Sequence, residues 1–215
     1  MNRQARGFTL IELMVAIAAM ALLALMSWRG LDAMGRAQAL NRERSDAVLT
    51  LQTTLSQWNA DLDSMVALSQ ISVIDWDGRV LRLTRRSTDS ATPVVFVTAW
   101  TLRPDPAGGS HWRRWQSQGF TTRAEWQQAW AQAAAWGAEG RSDGGSTGVD
   151  LIPLAGWELA YFRGDAWIPA VSAEALGTTP VPDGVRLVLS LPPGPALAGL
   201  VVRDWVRPSV TVPKT

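Results

Sequence analysis

Arg6-Gly7-Phe8-Thr9-Leu10-Ile11-Glu12-Leu13 opens an apolar stretch that continues to Trp28. Met1 to Gly7 is a short polar leader carrying Arg3 and Arg6, and it stops abruptly at Gly7. From Phe8 the run is about 21 residues, long enough to cross a bilayer as a helix. One residue spoils it. Glu12 places a carboxylate one helical turn inside the apolar start, at a cost of a few kcal/mol unless it finds a partner, so it reads as a functional residue. Two simpler readings stay open on the residues alone. Arg3 and Arg6 before an apolar stretch also fit a secretory signal, with Ala19-Met20-Ala21 as a cleavage site, although Glu12 would then fall inside the apolar region. A plain membrane anchor leaves Glu12 unexplained.

The same residues resemble the class III signal of prepilins and pseudopilins. That resemblance implies cleavage between Gly7 and Phe8 by a dedicated membrane peptidase, followed by methylation of the new Phe8 amine. It further implies that Glu12 packs into a filament core and meets the methylated amine of Phe8 on a neighbouring subunit. Such a pair offsets part of the cost of burying either charge, and it sets register more than it adds stability. Arg3 and Arg6 would hold the N-terminal end in the cytoplasm by the positive-inside rule, with Arg29 weakening the asymmetry slightly. The C-terminal domain is then expected in the periplasm of a two-membrane bacterium.

The chain has 215 residues and a formal net charge of +1, which leaves no global field to attract nucleic acid or acidic partners. Cysteine is absent, excluding disulfides and thiolate metal sites. Of the 20 lysines and arginines only Lys214 is lysine, which removes a P-loop or Schiff-base lysine from the body of the chain. The 12 tryptophans read as core and groove side chains of a small β-domain, with binding through exposed indoles as the alternative.

Beyond the membrane segment Leu31 and Met34 keep an apolar stripe, and Gly30 and Gly35 are candidate kinks or close helix contacts. Asn41 to Asp46 is polar. Val48, Leu51, Leu55, Trp58, Leu62 and Met65 then alternate spacings of three and four, predicting an amphipathic helix with one narrow buried face. A sheet follows at once, which favours a helix laid on its own domain over a coiled coil. Ile71 to Trp76, Asp77-Gly78 and Arg79 to Arg85 predict a hairpin with a type I′ turn. Trp157 to Arg163, Gly164-Asp165 and Ala166 to Ile168 predict another. Val94 to Leu102, Val185 to Leu191 and Leu200 to Val206 read as strands. Thr122-Arg123-Ala124-Glu125 is a capping box opening a helix that Gly137 can end. Gly140 to Gly148 reads as a loop, and Pro208 begins a tail.

Candidate chemistry is thin. Gly144, Ser146 and Gly148 match G-x-S-x-G formally, but the motif requires a preceding strand, and here a polar loop precedes it. His111, the only histidine, reads as a loop or strand-edge residue. Asp75-Trp76-Asp77-Gly78 looks like the start of a calcium loop, but Arg86 stands where that loop needs glutamate. Arg82, Arg85, Arg86, Arg113 and Arg114, with Trp112 and Trp115, form a candidate basic aromatic surface for single-stranded nucleic acid. A solvated sheet face with matching acids is the competing reading.

Trp28 to Ala33, Gly156 to Arg163 with Ala166-Trp167, and Pro182 to Leu189 resemble, in order, segments of the J-type minor pseudopilin of type II secretion. The Trp-rich part from His111 to Gly137 departs from the shorter family pattern. The resemblance implies an α+β, pilin-like fold: a long N-terminal transmembrane helix packed on antiparallel β-sheet, with one additional short helix. The expected organisation is a leader at 1–7, a transmembrane and filament-core helix at 8–28, its periplasmic extension at 29–68 and a β-rich globular domain at 69–215. It implies a place at the pseudopilus tip beside I-type and K-type subunits, with the H-type subunit and secreted cargo as further candidate partners. Prepilin peptidase and the inner-membrane assembly platform would act on the chain. No catalytic residue, cofactor or metal is expected. A minor pilin of a type IV pilus, serving adhesion, motility or DNA uptake, is the alternative, because the same helix serves both.

Overall fold

The computed structural model describes residues 8–87, 94–105, 108–138, 148–171 and 181–208. Its α+β chain divides into two units, Met1–Asp46 and Ala47–Thr215. One helix, α1 (Leu10–Asp63), contributes to both. In the first unit every described side chain is exposed, including the whole apolar run. The helix passes unbroken through Gly30 and Gly35, and a Cβ at either would meet nothing within 4 Å. Neither glycine therefore makes a close contact within this chain.

In the second unit the last turns of α1 bury one narrow face. Trp58 and Leu62 are fully enclosed, while Leu51, Leu55 and Met65 pack against the same core from its margin. Among the described residues the strands form two antiparallel sheets. The first is the meander β1 (Ile74–Trp76), β2 (Val80–Arg86), β3 (Val95–Pro104), β4 (Ser110–Gln116) and β5 (Val149–Pro153), in that spatial order. The second contains β6 (Gly156–Arg163), β7 (Ala166–Pro169), β8 (Gly184–Leu191) and β9 (Gly199–Val206), ordered β7-β6-β8-β9.

The two-residue period of the strands sorts side chains between two cores. Leu81, Leu83, Trp100 and Trp112 of the first sheet join Trp58 and Leu62 of α1, together with Leu159, Leu187, Leu189 and Trp205 of the second sheet. The alternate residues Val80, Val97, Ala99 and Trp115 meet α2 (Arg123–Ala138) through Trp126, Ala129, Ala133 and Trp136. The Trp-rich insert thus seals the outer face of the first sheet. Its close approach is visible at Gly137, where a Cβ would lie 1.8 Å from Val80 Cγ2.

Two local expectations change. Arg79 and Val80 donate their amides to Asp77 Oδ1 at 2.9 and 2.8 Å, and positive φ occurs at Gly78 but not at Arg79. With Trp76 opposite Leu81, Gly78 is the first central residue, so the sign of φ matches type II′ and not type I′. The second hairpin repeats the arrangement with Gly164 (φ 65) between Arg163 and Ala166. His111 lies within strand β4, opposite Arg103 on β3 and Pro153 on β5, and not in a loop. Trp112 and Trp115 face opposite sides of that strand, which hid its period.

Candidate functional site

The candidate groups sit at the ends of α1. At its N-terminus Phe8 is 89% exposed and Gly7 lies outside the described residues. Glu12 folds back on the start of its own helix. Its Oε2 accepts the Thr9 backbone N–H at 3.0 Å and the Thr9 hydroxyl at 2.8 Å, while the Glu12 amide donates to Thr9 Oγ1 at 3.4 Å. This is a reciprocal capping box, T-x-x-E, satisfying two of the amides that a helix start leaves open. Thr9 was legible as such from the spacing alone, but the reading of Glu12 as an intersubunit residue passed over it.

At the other end, Asp61 and Asp63 tie the last turn of α1 to the sheets. Asp61 is 0% exposed. Its Oδ2 accepts Trp100 Nε1–H from β3 at 2.9 Å and Arg114 Nε–H from β4 at 2.8 Å. Its Oδ1 accepts Arg114 Nη2 at 2.9 Å, Gln57 Nε2 at 3.0 Å and the guanidinium of Arg85 from β2. A buried carboxylate is costly unless its lone pairs are filled, and here donors from three strands and from α1 itself fill them. The last turn of α1 carries no basic residue, so Arg85 and Arg114 also supply the positive charge that a helix C-terminus favours. Asp63 Oδ1 accepts Trp205 Nε1–H from β9 at 2.7 Å. One helical turn thereby takes an indole hydrogen bond from each sheet. Asp61 was missed in the sequence although it stands three residues from Trp58, on the face the apolar stripe marks as buried.

Other candidate groups are absorbed into the fold. Asp75 and Arg82 are a buried ion pair, with Arg82 also stacked 5.0 Å over Trp130. Arg113 pairs with Asp150, and Trp112 and Trp115 are buried. Of the proposed basic aromatic surface this leaves Arg86 as the exposed arginine. His111 Nδ1 faces Asp105 Oδ2 at 3.1 Å. Gly144 and Ser146 of the G-x-S-x-G match lie outside the described residues. Among the described residues no three His, Asp or Glu side chains are grouped to hold a metal ion. Trp58, Trp100, Trp112 and Trp157 form one contiguous aromatic cluster, with neighbouring ring centroids 4.5–6.4 Å apart. Their indoles serve the core.

A long apolar N-terminal helix, of a length and composition able to cross a membrane, precedes a folded α+β domain, the arrangement of a single-pass, membrane-anchored protein. The prokaryotic N-terminal methylation motif matches residues 2–28. The chain is 36% identical over 105 residues to type II secretion system protein J of Klebsiella pneumoniae, a stretch covering 49% of this chain and 44% of that protein. The two likenesses fall on one chain, a methylation motif at its N-terminus and similarity to a type II secretion protein J over about half its length.

Proposed function

We propose that this protein is a minor pseudopilin at the tip of a type II secretion pseudopilus, where it primes assembly at the inner membrane and aids protein export across the outer membrane. The observation that carries this reading is the coincidence, on one chain, of the methylation motif at 2–28 with similarity to a type II secretion protein J. The proposed organisation is a leader at 1–7, a membrane and filament-core helix at 8–28, its periplasmic extension at 29–68 and a periplasmic domain at 69–215. Prepilin peptidase cleaves between Gly7 and Phe8, the Phe8 amine is methylated, and Glu12 offers its carboxylate to such an amine on a neighbouring subunit. Its partners are I-type and K-type subunits and the assembly platform, with the H-type subunit and secreted cargo as further candidates. The work is mechanical, not catalytic.

The test is co-purification from membranes. The full-length protein, expressed with I-type and K-type pseudopilins of the same cell, should emerge in a complex with one or both. Recovery with type IV pilus subunits alone would keep the filament role and move it to a pilus.

A further inference from the structure

The two sheets end in the strands β1, β5, β7 and β9, and the first three make poor edges. β1 has 3 residues, β5 has 5 and is shifted in register against β4, and β7 has 4 and ends at Pro169. Short strands, irregular pairing and proline all keep an edge from pairing with another chain. β9 has none of these. It runs for 8 residues without lysine or proline, in unbroken register with β8, and among the described residues no strand lies on its other side.

The pairing shows which backbone groups are open. The Arg207 amide donates to the Asp183 carbonyl at 2.8 Å, one step beyond the pair Gly184 and Val206. In an antiparallel pair successive residues turn their backbone groups alternately toward the partner and away from it. Val201, Arg203 and Trp205 therefore bond to β8, while Leu200, Val202, Asp204 and Val206 turn their N–H and C=O groups outward. The side chains of those four share one face. On it Leu200, Val202 and Val206 are 72, 56 and 70% exposed, and Asp204 is held by Arg186 of β8. On the opposite face Arg203 is exposed and joins no ion pair among the described residues. It repels a basic segment and favours one with a carboxylate opposite it.

We propose that the free edge of β9 is a docking site for an extended segment of a partner protein. The segment adds as a further antiparallel strand, with a carboxylate opposite Arg203 and apolar side chains opposite Leu200, Val202 and Val206. The occupant is a strand because only an extended chain presents donors and acceptors at the spacing of those left open. Backbone bonds supply the affinity, and the alternate side chains supply the choice of partner. This surface stands whether or not the chain works in secretion.

The test uses full-length protein in detergent micelles, with amide exchange followed by NMR, and two blocked peptides, Val-Thr-Thr-Glu-Val-Thr-Val and the same peptide with lysine in place of glutamate. In the free protein the Val202 and Asp204 amides should exchange quickly, and those of Arg203 and Trp205 slowly. The glutamate peptide should slow Val202 and Asp204, and bind about threefold more tightly than the lysine peptide, the size of one cross-strand charge pair. Val202→Pro removes only an outward-pointing amide, a position at which an edge strand tolerates proline. It should weaken binding about fivefold, the equivalent of one backbone hydrogen bond. If Val202→Pro loses the slow amides that mark an intact ladder, Val202→Lys, which sets a charge among the apolar residues, decides in its place. Slow exchange at Val202 and Asp204 before any peptide is added overturns the proposal, because the edge is then covered by the chain itself or by a second copy. Equal binding of the two peptides, or binding unchanged in the folded variant, overturns it too.

Discussion

Trp100 Nε1 and Arg114 Nε both donate to Asp61 Oδ2, at 2.9 and 2.8 Å, so a single buried oxygen on α1 joins strands β3 and β4 to the helix. Removing that carboxylate strands two guanidinium groups and an indole N–H. Asp61→Ala should therefore cost about 3–5 kcal/mol, the range for breaking a buried ion pair from one side. Urea denaturation followed by tryptophan fluorescence checks it. A loss under about 1 kcal/mol, the scale of an exposed pair, would show that the network carries little stability.

Trp58 is fully enclosed and contacts Trp100, Trp112 and Trp157 by its ring. A fragment beginning at Leu31 should be soluble and folded, because this face of α1 is filled within the chain. In that fragment Trp58→Ala should cost about 3–5 kcal/mol. A helix-mediated dimer with Trp58 at its seam would contradict the packing.

Gly137 lets the end of α2 approach β2 closely, since an added Cβ would fall 1.8 Å from Val80 Cγ2. Gly137→Ala should destabilise by about 1–3 kcal/mol, as overpacking does. Combining it with Val80→Ala should give less than the sum of the two losses. Strict additivity in thermal unfolding would indicate that α2 does not press on Val80.

Glu125 accepts the amides of Thr121 and Thr122 at 2.9 and 3.0 Å, and these backbone bonds hold its pKa below the ordinary 4.5. A carboxylate depressed in the folded state contributes stability above its unfolded pKa and loses it as pH falls through the folded value. The stability difference between wild type and Glu125→Gln should therefore be constant near neutrality and shrink below about pH 4.5. A difference that grows on acidification would reverse the assignment.

The cleavage proposed between Gly7 and Phe8 predicts that processing requires the small residue before Phe8. Replacing Gly7 with leucine should leave full-length precursor in the membrane, visible by mass spectrometry. Mature protein of normal mass from that variant would remove the cleavage site from Gly7.

The apolar run to Trp28, the lone Glu12 and the Thr122 capping box were all readable from the sequence, because each depends on residues within a turn or two of one another. The hairpins at Gly78 and Gly164 belong to the same class, although the turn type was not legible from Asp77-Gly78 alone: pairing Trp76 with Leu81 decides which residue is central. Strand β4 was obscured because alternate faces of one strand serve two cores, so Trp112 and Trp115 break any single-face period. The division into two sheets, the sealing of one by α2, and the convergence of Arg85, Trp100 and Arg114 on Asp61 came only with the tertiary structure. Those donors lie 24, 39 and 53 residues from Asp61 along the chain. Local periodicity specifies which face of an element is buried. It holds no record of which distant donors will satisfy a charge placed on that face.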